Sequence, residues 1–260
     1  MTSAAIYSRM ASHLVEAATE LIGATSSRGG QARVLGGIGV ALRCPSAQGS
    51  APLAREYSDI DLVTTRSAST IVADTMDELG YVAQGRFNAL HGRGRMLFDN
   101  ADGVHIDVFV DQFSMCHRLD LGTRLALHDT TVTLGDLLLT KLQVAELNEK
   151  DVTDAAALML DHDLTTGEEG INVDYIISVL GSDWGWWRTV SHNLRALPHH
   201  INSRLHHDAA AQVSARVTRL VQLIDEAPKS LRWKIRAKAG DRIPWRDEPE
   251  DRHDSPAGRR

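Results

Sequence analysis

The sequence has few of the features that mark several large protein classes. Its two cysteines, Cys44 and Cys116, stand alone without metal-type spacing, so neither a disulfide framework nor a zinc site is supported. No apolar run approaches the roughly 18 residues that a membrane span needs. Positive charge is not in surplus either, because the formal net charge is −6. That charge excludes a global basic field for nucleic acid.

The remaining composition is that of a globular protein. The 260 residues are 43% hydrophobic and 24% charged, enough to bury a sizeable core. Domains average roughly 100–200 residues, so we expect one large domain or two small ones. The N-terminal segment carries acidic residues and helical spacing, which predicts an amphipathic helix and no signal peptide. We therefore expect a cytoplasmic protein with no membrane partner.

Strand-like patterns occupy the first half of the chain. Short apolar or alternating segments predict strands, with helices between them. Gly23 is predicted to stop the first helix, and residues 24–32 and 45–52 are predicted to be loops. The predicted strands cover residues 33–35, 58–64, 95–98 and 104–110, and the predicted helices cover 6–22, 38–42 and 68–79.

Helical spacing dominates after about residue 130. Thr133 is predicted to cap one helix, and Asp151 or Asp154 to open the next. Further helices are predicted over 173–180, 183–196 and 208–226. We predict an α/β (α+β) fold, a small mixed sheet with flanking helices followed by a helical domain. The predicted boundaries are 1–130 for the first domain, 131–240 for the helical domain and 241–260 for a disordered tail.

Two predicted strands carry acidic residues on one face. Asp59 and Asp61 alternate with aliphatic residues, so both side chains point to the same side of the strand. Asp107 occupies a similar position in a second alternating strand. Converging carboxylates repel one another unless a cation joins them, and hard oxygen ligands suit Mg²⁺ or Mn²⁺. Such a site could hold a nucleoside triphosphate and activate an attacking hydroxyl.

A glycine pair precedes these strands. Gly36 and Gly37 lie where a short apolar segment turns into a helix. Glycine lets the backbone approach a phosphate, and the N-terminus of the following helix favours an anion. The alternative is an ordinary turn. The combination of the glycine pair with both acidic strands is much rarer than either feature alone.

The order Gly-Gly, Ser-Asp-Ile-Asp-Leu and Ile-Asp-Val-Phe over residues 33–110 resembles the nucleotidyltransferase superfamily. Residues 136–154 resemble the AbiEii-type toxin family, which has a lysine on a helix followed by a Lys/Arg-Asp-x-x-Asp element. This resemblance implies that Asp59, Asp61 and Asp107 bind the metal. It also implies that Asp107 acts on the incoming hydroxyl, as ligand or base.

The resemblance implies further roles around this site. Ser58 would orient the acid pair or contact phosphate, and Lys141 would reach the triphosphate or the acceptor. Asp151 and Asp154 share a helix face, and the resemblance includes them in the nucleotide site. Other interpretations stay open: Lys141 as a solvated helix residue, the two aspartates pairing with Lys141 or Lys150, and Asp151 as a helix N-cap.

The implied reaction transfers a nucleoside monophosphate from a nucleoside triphosphate to a hydroxyl of RNA, protein or a small molecule, releasing pyrophosphate. A toxin with an antitoxin partner would fit the AbiEii resemblance. Two alternatives are a non-catalytic nucleotide-binding module and a phosphotransferase. The three aspartates argue against loss of catalysis, because a non-catalytic descendant need not keep a mutually repulsive cluster.

Two features lie outside this site. Trp184, Trp186 and Trp187 are interleaved with basic residues and could stack a base, although core packing is the interpretation we favour. Residues 229–260 carry ten basic and six acidic side chains, a net charge of +4. The basic run over residues 232–238 could contact RNA phosphates or the acidic first domain.

Overall fold

The computed structural model describes residues 3–49, 51–201 and 204–248. Within these ranges the chain forms ten α-helices, a five-stranded mixed sheet and two small two-stranded sheets. The predicted α+β class with a helical C-terminal part is confirmed. None of the helices in these ranges combines the length and the apolarity that a membrane-crossing segment requires.

The first half of the chain builds the large sheet. Its elements are α1 (Ser3–Ser27), β1 (Ala32–Leu35), α2 (Gly36–Arg43), β2 (Asp59–Thr64), α3 (Ser69–Glu78), β3 (Val82–Ala83), α4 (Gly85–His91), β4 (Arg95–Asp99) and β5 (His105–Val110). The strand order is β1-β2-β5-β4-β3. Strands β2 and β5 are parallel, and every other neighbouring pair is antiparallel. The central parallel pair therefore brings the two acidic segments together.

Alternation along β2 and β5 gives the sheet two different faces. Ile60 and Leu62 on β2 pack with Ile106 and Val108 on β5, and α1 and α3 cover this face. Asp59 and Asp61 alternate with these residues and lie on the opposite face. Val63 continues that opposite face and joins the core of the helical half. Apolar packing therefore closes this face at Val63 and, beside Asp61, at Leu35.

The second half is helical apart from short strand pairs. Its elements are β6 (Gln112–Ser114), β7 (Arg118–Asp120), α5 (Leu134–Leu142), α6 (Glu149–Asp161), β8 (Leu164–Thr165), β9 (Ile171–Asn172), α7 (Val173–Ser182), α8 (Trp184–Ile201), α9 (His207–Glu226) and α10 (Leu231–Ala239). Thr133 caps α5 in a capping box with Asp136, as predicted.

The start of α6 differs from the prediction. Its N-cap is Asn148, whose Oδ1 accepts a hydrogen bond from the Asp151 N–H at 2.9 Å. The expectation that Asp151 or Asp154 opens the helix was wrong, because the amide side chain of Asn148 caps it earlier. Both aspartates are therefore inside the helix, one turn apart.

Other differences occur at ends and loops. Helix α1 continues past Gly23 to Ser27 because Thr25 is buried, and packing offsets the small helix cost of glycine. The loop after α2 is not wholly exposed, since Ala47 and Leu53 are buried in the core. Residues 241–248, predicted as part of a disordered tail, have defined contacts with α8, and residues 249–260 lie outside the described residues.

Candidate functional site

Strand register brings two of the predicted carboxylates side by side. In the parallel pair of β2 and β5, Asp61 lies directly opposite Asp107, and Asp59 lies opposite His105. Neighbouring strands are about 4.8 Å apart, and directly opposed residues point to the same face. Asp59 and Asp61 are half-buried, whereas Asp107 is buried. The three predicted acids therefore share one face of the sheet.

The glycine pair lies against this face. Strand β1 pairs with β2 so that Leu35 is opposite Asp61, and α2 begins at the next residue. Gly36 has a φ of +65°, and a Cβ there would lie 2.0 Å from Oδ2 of Asp61. A side chain at this position would be strained and would collide with the carboxylate. The N-terminus of α2, which Leu35 does not cap through its side chain, thus contacts the acidic face.

Asp107 is engaged by an arginine that the sequence pattern did not identify. Arg95 on β4 donates from Nε to Oδ1 at 2.8 Å and from Nη2 to Oδ2 at 2.5 Å. This two-point geometry is the strong form of an arginine–carboxylate contact. A signal existed in the sequence: alternation in Arg95–Asp99 places Arg95 on the same face as Leu97, which pairs with Asp107.

The described part of the chain contains no group of three or more His, Cys, Asp or Glu side chains arranged to hold a metal ion. The shared face and the register of the predicted acids are present. Asp107, however, has its carboxylate directed to Arg95. The arrangement thus supplies suitable oxygen donors in one neighbourhood without forming a closed three-carboxylate site.

A second cluster of charges is buried between α5 and α6. Lys141 Nζ lies 2.8 Å from Oδ2 of Asp154 and 3.5 Å from Oδ1 of Asp151. Arg55 donates to the two oxygens of Asp154 at 2.7 and 2.6 Å. Lys141 is therefore not a solvated residue, and the two aspartates pair with it. Lys150, the other candidate partner, is exposed.

Burial and pairing set the ionisation of this cluster. Burial disfavours the Lys141 charge, but Asp154 and Asp151 outweigh it and raise the Lys141 pKa. Burial likewise opposes the charge of Asp154, yet Lys141 and Arg55 prevail and lower its pKa. Burial raises the pKa of Asp151, and Lys141 offsets it only in part. Asp154 is thus the main anion of the cluster, consistent with its shorter contacts.

Arg55 joins the buried cluster to the glycine pair. A Cβ on Gly37 would lie 2.3 Å from Nη2 of Arg55, so the guanidinium touches the start of α2. The same guanidinium lies 4.3 Å from the ring centroid of Tyr57. Arg55 was not identified from the sequence, because it lies in an irregular segment and its partner Asp154 is 99 residues away.

Ser58 has a smaller part in this arrangement. It is exposed, and its Oγ lies 3.4 Å from Oδ1 of Asp59, a long hydrogen bond. The glycine pair, the three acidic residues and the buried cluster thus form one continuous region, with Ser58 at its edge.

The sequence matches no model of a known protein family and no curated protein. The resemblance to nucleotidyltransferases and to the AbiEii-type family therefore rests on the sequence motifs alone.

Proposed function

We propose that this protein is a metal-dependent nucleotidyltransferase that moves a nucleoside monophosphate from a nucleoside triphosphate to a hydroxyl acceptor. One observation carries the proposal. Asp61 is directly opposite Asp107 and in contact with Gly36 at the first turn of α2. The carboxylate of Asp61, which would bind a cation, thus lies next to the start of α2, where backbone N–H groups would bind phosphates.

The donor chemistry fits Mg²⁺ or Mn²⁺. Asp59 and Asp61 supply carboxylate oxygens from one face of β2, and Asp107 supplies more from β5. Asp107 would join this set by exchanging Arg95 for the ion. A bound divalent ion would neutralise charge on the triphosphate and make an attacking hydroxyl more acidic.

The remaining residues bind and orient the donor. The backbone N–H groups at the N-terminus of α2, at Gly36 and Gly37, bind the phosphates, and Arg55 adds positive charge next to Gly37. Asp154 holds Arg55 in an ion pair, and Lys141 in turn pairs with Asp154. Lys141 and Asp154 are thus positioning residues in this proposal. Ser58, which directly precedes β2, orients Asp59.

The transfer step balances with these groups. The acceptor oxygen forms a bond to the α-phosphorus, and the bond from that phosphorus to the bridging oxygen breaks. Pyrophosphate carries away the electron pair, and the hydroxyl proton passes to the carboxylate of Asp107. The acceptor class, RNA, protein or small molecule, and an antitoxin partner remain predictions from the resemblance. The location in the cytoplasm remains a prediction from the composition of the sequence.

Two competing functions give different products. A phosphotransferase would use the same carboxylates but would release a nucleoside diphosphate. A nucleotide-binding module would bind the nucleotide without transfer. The acidic face favours catalysis over binding alone, because neighbouring carboxylates weaken the binding of an anion unless a cation is present.

The test incubates the purified protein with each α-labelled nucleoside triphosphate, Mg²⁺ or Mn²⁺, total RNA and cell extract. The matched variant carries Asp59→Asn and Asp61→Asn, and its thermal unfolding is recorded beside the wild type. We expect label on an acceptor and free pyrophosphate from the wild type, and neither from the folded variant. Release of nucleoside diphosphate would favour the phosphotransferase. Binding without transfer, or no binding, would contradict the proposal.

A further inference from the structure

A cleft of about 430 Å³ lies between the start of α8, helix α10 and residues 244–247. Trp184, Trp186, Trp233 and Trp245 line it, and Trp187 contacts two of them from behind. These are all five tryptophans of the chain. Trp184 and Trp186 are buried, and Trp186 and Trp187 pack with the helical core, so the core-packing interpretation accounts for these three residues. It does not account for Trp233 and Trp245, which are only half-buried at the wall of the cleft.

The outer wall of the cleft is held firmly. The Asp247 N–H donates to the Cys116 carbonyl at 2.9 Å, and Trp245 Nε1–H donates to Oγ1 of Thr189 at 3.3 Å. Gly185 permits this approach, since a Cβ there would lie 2.3 Å from the Trp245 carbonyl oxygen. Because the wall is fixed by these contacts, the cleft exists before any ligand binds. A preformed site avoids the entropy of ordering a loop.

The cleft is basic although the protein is acidic. Its lining holds four arginines and two aspartates, a formal charge of +2, against −6 for the whole chain. Arg118, Arg232 and Arg246 are exposed, and within the described ranges no carboxylate lies within ion-pairing distance of them. Burial lowers the pKa of His117, at the floor of the cleft, to about 4, so this residue adds no charge at neutral pH. Three neighbouring guanidinium groups favour an anion.

The walls also present aromatic surface. Trp233 and Trp245 are half-buried, so part of each ring is open to solvent. Indole surfaces stack on nucleobases without regard to sequence. Pockets for small ligands span roughly 300–1,000 Å³, so this cleft has room for one nucleotide. A planar ring with an attached phosphate matches both kinds of surface.

We propose that this cleft is a second nucleotide-binding site, in which a base packs on the tryptophans and a phosphate contacts Arg232 and Arg246. The ligand is either a free nucleotide or one nucleotide of a single-stranded RNA. The inference does not depend on the carboxylate face being catalytic, because it uses none of its residues.

Tryptophan fluorescence tests this directly, since every tryptophan of the chain reports on the cleft. Full-length protein carrying Asp59→Asn and Asp61→Asn is titrated with AMP and, separately, with an adenylate hexamer. The variant removes metal-assisted binding at the carboxylate face from the signal. We expect saturable quenching by at least one ligand. We also expect Arg232→Ala with Arg246→Ala to weaken the binding by at least about tenfold, because each removes a charged contact to the phosphate.

A matched control removes two exposed arginines elsewhere, Arg66→Ala with Arg219→Ala. This control loses the same amount of charge at positions outside the cleft, so it should bind each ligand as tightly as the parent variant does. Quenching by AMP identifies a free-nucleotide site. Quenching only by the hexamer, with affinity that falls as salt rises, identifies a nucleotide within a strand. No quenching by either ligand, or equal weakening in both double-arginine variants, would overturn the proposal.

Discussion

Two charge clusters flank the same glycine pair, and they differ in balance and burial. The acidic face holds Asp59, Asp61 and Asp107 with Arg95, a formal charge of −2 for these four residues. The cluster between α5 and α6 has equal numbers of acids and bases: Asp151, Asp154, Lys141 and Arg55. The first lies partly open on a sheet, and the second is enclosed by helices.

From this difference we expect the acidic face to bind a ligand and the buried cluster to hold structural elements in position. A balanced, hydrogen-bonded set of buried ions holds elements together, and removing one member leaves the others uncompensated. An excess of like charge on a half-open face is unfavourable by itself, and such surfaces are candidates for ligand sites. Both clusters contain residues that were predicted from the sequence as parts of one nucleotide site, yet we expect different consequences when each cluster is altered.

The largest expected contrast pairs Asp154→Asn with Asp61→Asn. Asp154→Asn removes the main anion facing Lys141 and Arg55, and the free energy of unfolding should fall by about 3–5 kcal/mol. Asp61 is only half-buried whereas Asp154 is fully buried, so Asp61→Asn should cost less stability than Asp154→Asn. It should lower nucleotide transfer by more than about 100-fold, since even outer-shell groups of metal sites contribute about 10–100-fold.

Denaturant unfolding and transfer assays on both variants check this contrast. A stable Asp154→Asn protein would show that the buried cluster is not structural. An Asp61→Asn protein that unfolds easily would show that the acidic face is part of the scaffold.

The next effect concerns Arg95. Arg95→Ala deprives the buried Asp107 carboxylate of its two-point partner, and we expect a loss of roughly 3 kcal/mol without metal. Mn²⁺ should then restore stability, because Asp107 becomes available to the ion and ligand binding stabilises the folded state. Thermal unfolding of variant and wild type, each with Mn²⁺ or with chelator, measures this. A smaller Mn²⁺ shift in the variant than in the wild type would argue that Asp107 binds no metal.

The glycine pair gives a smaller, sharper test. Gly36→Ala places a Cβ 2.0 Å from Oδ2 of Asp61 at a positive φ, which should cost about 1–3 kcal/mol of stability and displace the carboxylate. Gly80→Ala is a matched control, because Gly80 has a φ of +81° with nothing within 4 Å of the added Cβ. Both variants carry backbone strain, but only Gly36→Ala should lose metal-dependent nucleotide binding. Equal nucleotide binding by Gly36→Ala and Gly80→Ala would show that Gly36 is not part of the nucleotide site.

The sequence predicted the acidic face better than its surroundings. Alternation fixes which side Asp59, Asp61 and Asp107 occupy, and this local rule held. Arg55 was missed because its partner Asp154 is 99 residues away, which no periodicity encodes. Arg95 was missed although the alternation of β4 places it on the face of Asp107. The start of α6 was misplaced because Asn148 and Asp151 are both acceptable N-cap residues, and residue type alone does not select between them.

The smallest predicted effect lies inside the buried cluster, at its weaker acid. Burial raises the pKa of Asp151 in the folded protein, so the folded state retains that proton at pH values where the unfolded chain has lost it. The contribution of Asp151 to stability should therefore fall as pH rises from 3.8, the ordinary pKa of the group, through the raised folded pKa. Asp151→Asn removes this titration, and near neutral pH its stability should stay within about 1 kcal/mol of the wild type. Unfolding measured across this pH range should show the wild type declining relative to the variant. The opposite slope would mean that Lys141, 3.5 Å away, binds Asp151 as strongly as it binds Asp154.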